Sequence, residues 1–221
     1  MMRVIQMLLI GLFVNCTYGQ ARKQLTVIFP EKIEHQELFY RVGRDVDKLS
    51  VQYKRRSAPI QVSKRAQILE LIVPQDSLTE GVDYKVVGRT MLLPVSRQML
   101  VVLPGRKGGD YDLEVATLDD SIEGFPRGSV RFANFTKSDM YVKVDDKVSK
   151  LAKRNFSLLN LKNLAKGGYV PMTYANAQGE KVHFTRLYMH SGVRKIVLIS
   201  PSTRKKGSPF SFTYLQENLP Q

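Results

Sequence analysis

"RVGRDVDKL", Arg41 to Leu49, lies over "KVDDKVSKL", Lys143 to Leu151, without a gap at an offset of 102 residues. Val42, Val46, Lys48 and Leu49 of the first stretch meet Val144, Val148, Lys150 and Leu151 of the second. Three further blocks match in the same order. "VIF" (Val27 to Phe29) parallels "VRF" (Val130 to Phe132), and "KRRSAPIQV" (Lys54 to Val62) parallels "KRNFSLLNL" (Lys153 to Leu161). "LVVLPGRKGGDYDLEV" (Leu100 to Val115) parallels "VLISPSTRKKGSPFSFTY" (Val197 to Tyr214). One match between β-rich segments arises by chance; four collinear ones indicate an internal repeat.

The repeated material is strand-forming. "LTVIF" (Leu25 to Phe29), "LFYRV" (Leu38 to Val42), "QILELIV" (Gln67 to Val73), "QMLVVL" (Gln98 to Leu103) and "YDLEVATL" (Tyr111 to Leu118) are rich in branched and aromatic residues. In the last of these, Tyr111, Leu113 and Val115 share one face and Asp112 and Glu114 the other, as in a half-buried strand. No segment carries a long helical stripe, and only "KNLAK" (Lys162 to Lys166) suggests a helical turn. Gly124, Pro126 and Gly128 mark a boundary within "DDSIEGFPRG" (Asp119 to Gly128). The expectation is an all-β protein of two tandem related antiparallel β-sandwich-like units, residues 20–122 and 123–221, each of seven or eight strands.

Residues 1–19 read as a secretory signal peptide. Arg3 precedes an apolar run from Val4 to Val14, and Thr17 and Gly19 offer small residues for cleavage, leaving Gln20 first. The run is too short to span a bilayer, and no later stretch approaches the length needed. A lipid anchor on Cys16 is the rival reading, and Phe13, Val14 and Asn15 make a poor lipidation box. The expected product is exported, periplasmic or extracellular. Cys16 is the only cysteine, so the mature chain lacks disulfides, thiol catalysis and cysteine-ligated metals. Its stability must come from its cores.

The formal charge of +14 becomes +13 when Arg3 leaves with the signal peptide. Such a balance favours contact with anionic surfaces through an attraction that salt weakens. Export disfavours cytoplasmic nucleic acid and favours an acidic envelope glycan, lipopolysaccharide or protein. A solubilising role for the charge is equally open. The cations gather at turns. Arg204, Lys205 and Lys206 sit where Arg106 and Lys107 sit in the first unit, between two strands and ahead of a glycine. Lys54, Arg55 and Arg56, with Lys153 and Arg154, form a second duplicated basic turn. These ten residues are the candidate polyanion-binding set, since loops on a rigid scaffold commonly carry binding residues.

Catalytic and metal chemistry find little support. His35, His183 and His190 show no ligand spacing, and the last two are expected on opposite sides of one long strand. No "GxSxG" elbow occurs, and "HSG" at His190 to Gly192 reads as a turn. Asp119-Asp120 and Asp145-Asp146 fall at linkers or turns, and neither lies in a calcium-loop spacing. "GRKGGD" (Gly105 to Asp110) lacks a phosphate-loop ending. No cofactor is expected. Aromatic residues beside cations in "FYR" (Phe39 to Arg41), "QYKRR" (Gln52 to Arg56), "MYVK" (Met140 to Lys143) and "FTRLYMH" (Phe184 to His190) are expected mainly in the core, with Lys and Arg on the outer face.

The stretch from Phe125 to Leu161 resembles a group of exported, uncharacterised bacterial proteins. The resemblance rests on Phe125, Pro126, Gly128, Ser129, Arg131, Phe132 and Asn134, a "FP-x-GS-x-R-F-x-N" phrase that opens their second half. Many members carry a glycine-rich turn where this chain has Asp145-Asp146. The resemblance implies a secreted two-part β protein and no catalytic residues. Together these readings favour a non-enzymatic envelope protein that binds an acidic partner through basic hairpin turns. The alternative is a glycan- or peptide-directed hydrolase with a carboxylate site that no motif marks.

Overall fold

The computed structural model describes residues 22–35, 37–75, 83–105, 108–161, 167–202 and 208–218. Residues 1–19, Cys16 and "KNLAK" lie outside them. The first unit contains β1 (Arg22–Ile28), β2 (Leu38–Val42), β3 (Asp45–Leu49), β4 (Ile60–Ser63), β5 (Ile68–Gln75), β6 (Asp83–Met91), β7 (Arg97–Pro104) and β8 (Leu113–Asp119). The second contains β9 (Ser129–Asn134), β10 (Met140–Val144), β11 (Lys147–Leu151), β12 (Asn155–Asn160), β13 (Gly168–Ala175), β14 (Lys181–Met189), β15 (Val193–Pro201) and β16 (Phe210–Asn218).

Sheets β4-β1-β7-β8 and β3-β2-β5-β6 form one sandwich; β12-β9-β15-β16 and β11-β10-β13-β14 form the other. The strand order is the same in both units, so the repeat in the sequence is a repeat of topology. The matched hairpins at 41–49 and 143–151 have the same register, Val42 opposite Asp45 and Val144 opposite Lys147. Gly43 and Asp145 hold the same turn position with φ of +63° and +50°. Glycine and, among the other residues, Asp tolerate that left-handed region best.

Two features differ from the expectation. Each unit holds one parallel pair, β1 with β7 and β9 with β15. Five strands separate the members of each pair, so no hairpin dictates their direction. The parallel registers also set Val27 opposite Leu100 and Phe132 opposite Val197. Val27 therefore corresponds to Phe132, two residues from the alignment of "VIF" with "VRF". A slip of two preserves the inward face, which is why the sequence tolerates both alignments.

Each sandwich has its own core. Leu25, Leu38, Leu71, Leu100 and Val102 lie in the first, and Phe132, Val142, Tyr174, Val197 and Ile199 in the second. A third core joins them. Ile28, Met99, Val101 and Leu103 on the outer face of the first β1-β7 sheet pack with Ala133, Ile196 and Leu198 on the outer face of the second unit's β9-β15 sheet. β7 and β15 are thus buried on both faces, which explains their unbroken apolar runs. Each such side chain contributes about 1.5–3 kcal/mol on burial, so the two units are held as one body of four layers.

The linker is locked into this junction by arginines. Arg194, 1% exposed, donates to the Ser121, Phe125 and Asp120 carbonyls and to the Asp120 carboxylate at 3.1 Å. Asp120 also takes Arg56 at 2.7 Å, while Glu217 takes Arg194 at 2.6 Å and Arg97 at 3.0 Å. Arg131 donates to the Asp119 and Gly124 carbonyls. The Phe125 ring lies 4.5 Å from the Arg131 guanidinium and 4.6 Å from that of Arg194.

Burial opposes ionisation of Glu217, but Arg56, Arg194 and Arg97 outweigh it and hold its carboxyl below the usual glutamate range. The unfolded chain then binds the proton more readily. Stability from this group is present above the ordinary glutamate pKa and is lost as pH falls through the lower folded value. Acid titration of the denaturation midpoint is expected to show this limb, and Glu217→Gln to flatten it. An unchanged limb in that variant would remove Glu217 from the account.

Candidate functional site

Strand direction decides where the loops fall. β1 and β7 run parallel, so both end where β4 and β8, antiparallel to them, begin. The described residues 29–35, 37, 50–59, 105 and 108–112 therefore share one end of the first unit. The repeated topology places 135–139, 152–154, 202 and 208–209 at the matching end of the second. Stacking brings these ends together: Arg154 of the second unit bonds both carboxylate oxygens of Glu114 in the first, at 3.0 and 3.1 Å.

Two clefts lie between the ends. The first, about 670 Å³, has Glu31, Lys32, Tyr53 and Lys54 on one wall and His183, Phe210, Phe212 and Tyr214 on the other. The second, about 500 Å³, is lined by Glu31, Gly105 and Glu114 against Lys137, Arg154 and Pro201. Glu31 and Pro201 border both, so the clefts are adjacent. One Glu31 carboxylate oxygen is buried and, among the described residues, has no hydrogen-bond partner.

The candidate cations are distributed unevenly. Lys54 and Arg55 are exposed at this end, and among the described residues neither has an ion-pair partner. Lys54 has φ +57° and donates its backbone N–H to the Phe29 carbonyl. Arg154 has φ +55°, so the turn geometry matches Lys54 with Arg154 and not with Lys153. Lys153 is exposed, and its backbone N–H donates to Asp139. Arg56 points into the junction between units, where its ion pairs with Asp120 and Glu217 (3.5 Å) occupy it. Arg106, Lys107, Arg204, Lys205 and Lys206 lie outside the described residues. Pro104 and Pro201, from which those segments leave, border the second cleft.

Lys32, Lys137 and Glu31 join this end without having stood out in the sequence. Each is a single charged residue in a loop, and no local pattern distinguishes it from any other. His183 is the more instructive omission. Its Nε2 lies 2.8 Å from the Tyr214 hydroxyl, and its ring stacks on Phe212 at 4.3 Å with 19° between planes. Burial lowers the imidazole's pKa, keeping it neutral near pH 7, and pushes the Tyr214 phenol up to about 12. Observed by NMR, the His183 ring protons are expected to titrate below the ordinary histidine range; titration at or above it would contradict this buried position.

His190 is not in the strand with His183. It follows β14, and its Nδ1 accepts the Gly192 N–H, so "HSG" forms the turn into β15. His35 lies 3.6 Å from Asp112. Among the described residues, no three His, Cys, Asp or Glu side chains are placed to hold a metal ion. Asp120 belongs to the arginine junction, and Asp145-Asp146 is an exposed hairpin turn. No helix among the described residues is long and apolar enough to cross a membrane.

Of the aromatic residues beside cations, Tyr40 packs against the first core as expected, whereas Tyr53, Phe184 and Tyr188 are exposed. Phe184 and Tyr188 are 43% and 45% exposed, and Lys181 and Arg186 lie over the Phe184 ring. Tyr53 is 40% exposed at the rim of the first cleft. In β14 the alternate residues Leu187 and Met189 take the inner face, which sends Phe184 and Tyr188 outward. No protein-family model matches the chain, and no curated protein is significantly similar to it.

Proposed function

We propose that this protein is a non-enzymatic module of the cell envelope, exported through residues 1–19, that binds an acidic partner at the loop end shared by its two units. The observation that carries the reading is the convergence of exposed cations from both units, Lys32 and Lys54 from one and Lys137 from the other, on the walls of two adjacent clefts, with Arg55 and Lys153 exposed on the same turns. Like charges brought together on loops raise the local positive potential, and concave walls focus it. The acids of the junction do not offset this field at close range, because Asp120 and Glu217 are already engaged by Arg56, Arg97 and Arg194. Export agrees with the resemblance of residues 125–161 to secreted bacterial β proteins, and an envelope supplies acidic glycans, lipopolysaccharide and proteins as partners.

The test is a triple change, Lys32→Glu, Lys54→Glu and Lys137→Glu, with Lys64→Glu as control. Lys64 is exposed just beyond β4, at the opposite end of that strand from Lys54. Each surface change is expected to move stability within about 0.5 kcal/mol. Retention on an immobilised polyanion is expected to fall sharply in the triple variant, with a shallower dependence on salt, and to change little in the control. Equal retention of both variants would sink the shared-end reading.

A further inference from the structure

The two units have the same topology, so each position in one has a counterpart in the other, and the places where counterparts differ most are informative. Tyr40 pairs with Leu71, which pairs with Gly88 beside a β-bulge. In the second unit Val142 pairs with Tyr174, which pairs with His183 beside a bulge at the same place. Gly88 and His183 are therefore the same position. By the same reasoning, Pro104 and Val102 pair with Leu113 and Val115, while Pro201 and Ile199 pair with Phe210 and Phe212. Leu100 pairs with Thr117 and Val197 with Tyr214.

In the first unit these residues close the seam between the two sheets. A Cβ on Gly88 would stand 3.2 Å from both Leu113 Cβ and Val115 Cγ2, so glycine lets β6 lie against β8. Thr90 and Thr117 then bond across the seam at 2.8 Å. In the second unit His183 replaces the glycine, and Phe210, Phe212 and Tyr214 replace Leu113, Val115 and Thr117. Four positions have changed together from small or aliphatic to aromatic, all along one seam. The larger rings line the first cleft where the first unit has packed strands. A sandwich needs only closure here, as the first unit demonstrates.

We infer that the first cleft is a saccharide site, made by opening the second unit's seam, and that it takes a sugar chain bearing acidic groups, of the uronate or sulfated class. This rests on the reading of the shared end as an acidic-partner site and names the partner's chemistry. The cleft offers three kinds of contact at once. Tyr53 and Phe210 present rings to the C–H face of a sugar, while Lys32 and Lys54 present charge to an acidic group. The Glu31 oxygen that has no partner among the described residues can accept from a sugar hydroxyl. A bare phosphate, sulfate or carboxylate chain supplies no donor and is repelled by Glu31. An acidic sugar supplies hydroxyl donors, a stacking face and the anion together. A volume of about 670 Å³ lies within the usual range for small-ligand sites.

The full mature chain is tested by calorimetric titration with short galacturonate and glucuronate oligomers, a sulfated oligosaccharide, their uncharged counterparts, polyacrylate of matched charge, and phosphatidylglycerol vesicles. At least one acidic oligosaccharide is expected to bind more tightly than its uncharged counterpart and than polyacrylate. Tyr53→Ala and Glu31→Met are each expected to weaken that binding by about five- to tenfold. The same Glu31→Met change is expected to strengthen polyacrylate binding, because it removes only a repulsion. Circular dichroism and the denaturation midpoint establish that both variants fold, and Glu31→Met keeps the test open where Tyr53→Ala does not.

Polyacrylate binding as well as the sugars, with both variants neutral, would overturn the saccharide assignment and leave the acidic-partner reading standing. Binding to vesicles alone would overturn it in favour of a membrane surface. Binding to none of these anions at low salt would overturn both.

Discussion

Arg194→Ala is expected to destabilise the protein by about 3–5 kcal/mol, the range for removing one partner of a buried ion pair. The guanidinium is 1% exposed and meets two carboxylates and three linker carbonyls. Truncation to alanine leaves Asp120, itself 1% exposed, with Arg56 and the more distant Arg97 at 3.8 Å, and leaves the carbonyls of Asp120, Ser121 and Phe125 without this donor. Unmade bonds to buried acceptors cost more than made ones contribute, which is why the single change is severe. Arg194→Lys retains the charge but not the planar fork, and is expected to recover only part of the loss. Urea denaturation midpoints measure both. A loss below about 1 kcal/mol for the alanine variant would show that the linker conformation does not depend on this arginine. Asp120→Ala shares the same network, so the double variant should fall short of the sum of the singles.

Phe125→Ala is expected to cost a similar amount, about 3–5 kcal/mol for an aromatic ring removed from a packed core. The ring is fully buried in the core between the units, and two guanidiniums face it. Cation–π attraction adds about 0.5–2 kcal/mol per contact where the partners are desolvated. The consequence goes beyond lower stability. This residue lies in the only one of the three described cores that both units share, so its loss weakens their coupling more than either sandwich. In calorimetry the parent is expected to unfold in one transition and the variant in two. A lower midpoint with one sharp transition would instead mean that Phe125 supports the whole body evenly. Phe125→Leu keeps most of the apolar volume and loses both cation contacts, so comparison of the two variants separates packing from the arginine interaction.

Both predictions concern a region that the sequence marks only as a boundary. "DDSIEGFPRG" reads as a turn-rich linker, and in the fold it is a linker whose carbonyls are held by Arg131 and Arg194. Nothing local announces this. Arg194 is the second residue of the run "VRKIVLIS", and the outer face it shares with Ile196 and Leu198 is covered by the other unit. The same covering turns Arg56 from a candidate grip into an ion-pair partner. β7 and β15 did carry a signal, because a strand apolar at successive positions is buried on both sides. The runs "QMLVVL" and "KIVLIS" therefore contained evidence for a third layer of packing.

The candidate site was partly legible. The basic turn at Lys54 and Arg55 and the turn at Lys153 and Arg154 are at the shared end, as duplicated loops of duplicated strands must be. Lys32, Lys137, Glu31 and His183 were not legible, since they come from different loops and from a strand seam. They meet only after each sandwich closes and the two stack.

By itself, the sequence determined the strands, the two units, their common order and the hairpins at 41–49 and 143–151. These depend on period-two alternation, turn residues and repetition, which are local properties of the chain. Tertiary structure alone decided which outer faces are covered, which cations remain in water and which seam opens. Those outcomes depend on residues far apart in the chain, such as Arg56 with Asp120, Glu114 with Arg154 and His183 with Tyr214. Gly88 and His183 make the point within one repeat: each is compatible with its own strand, and only the opposite sheet decides whether the seam closes or becomes a cleft.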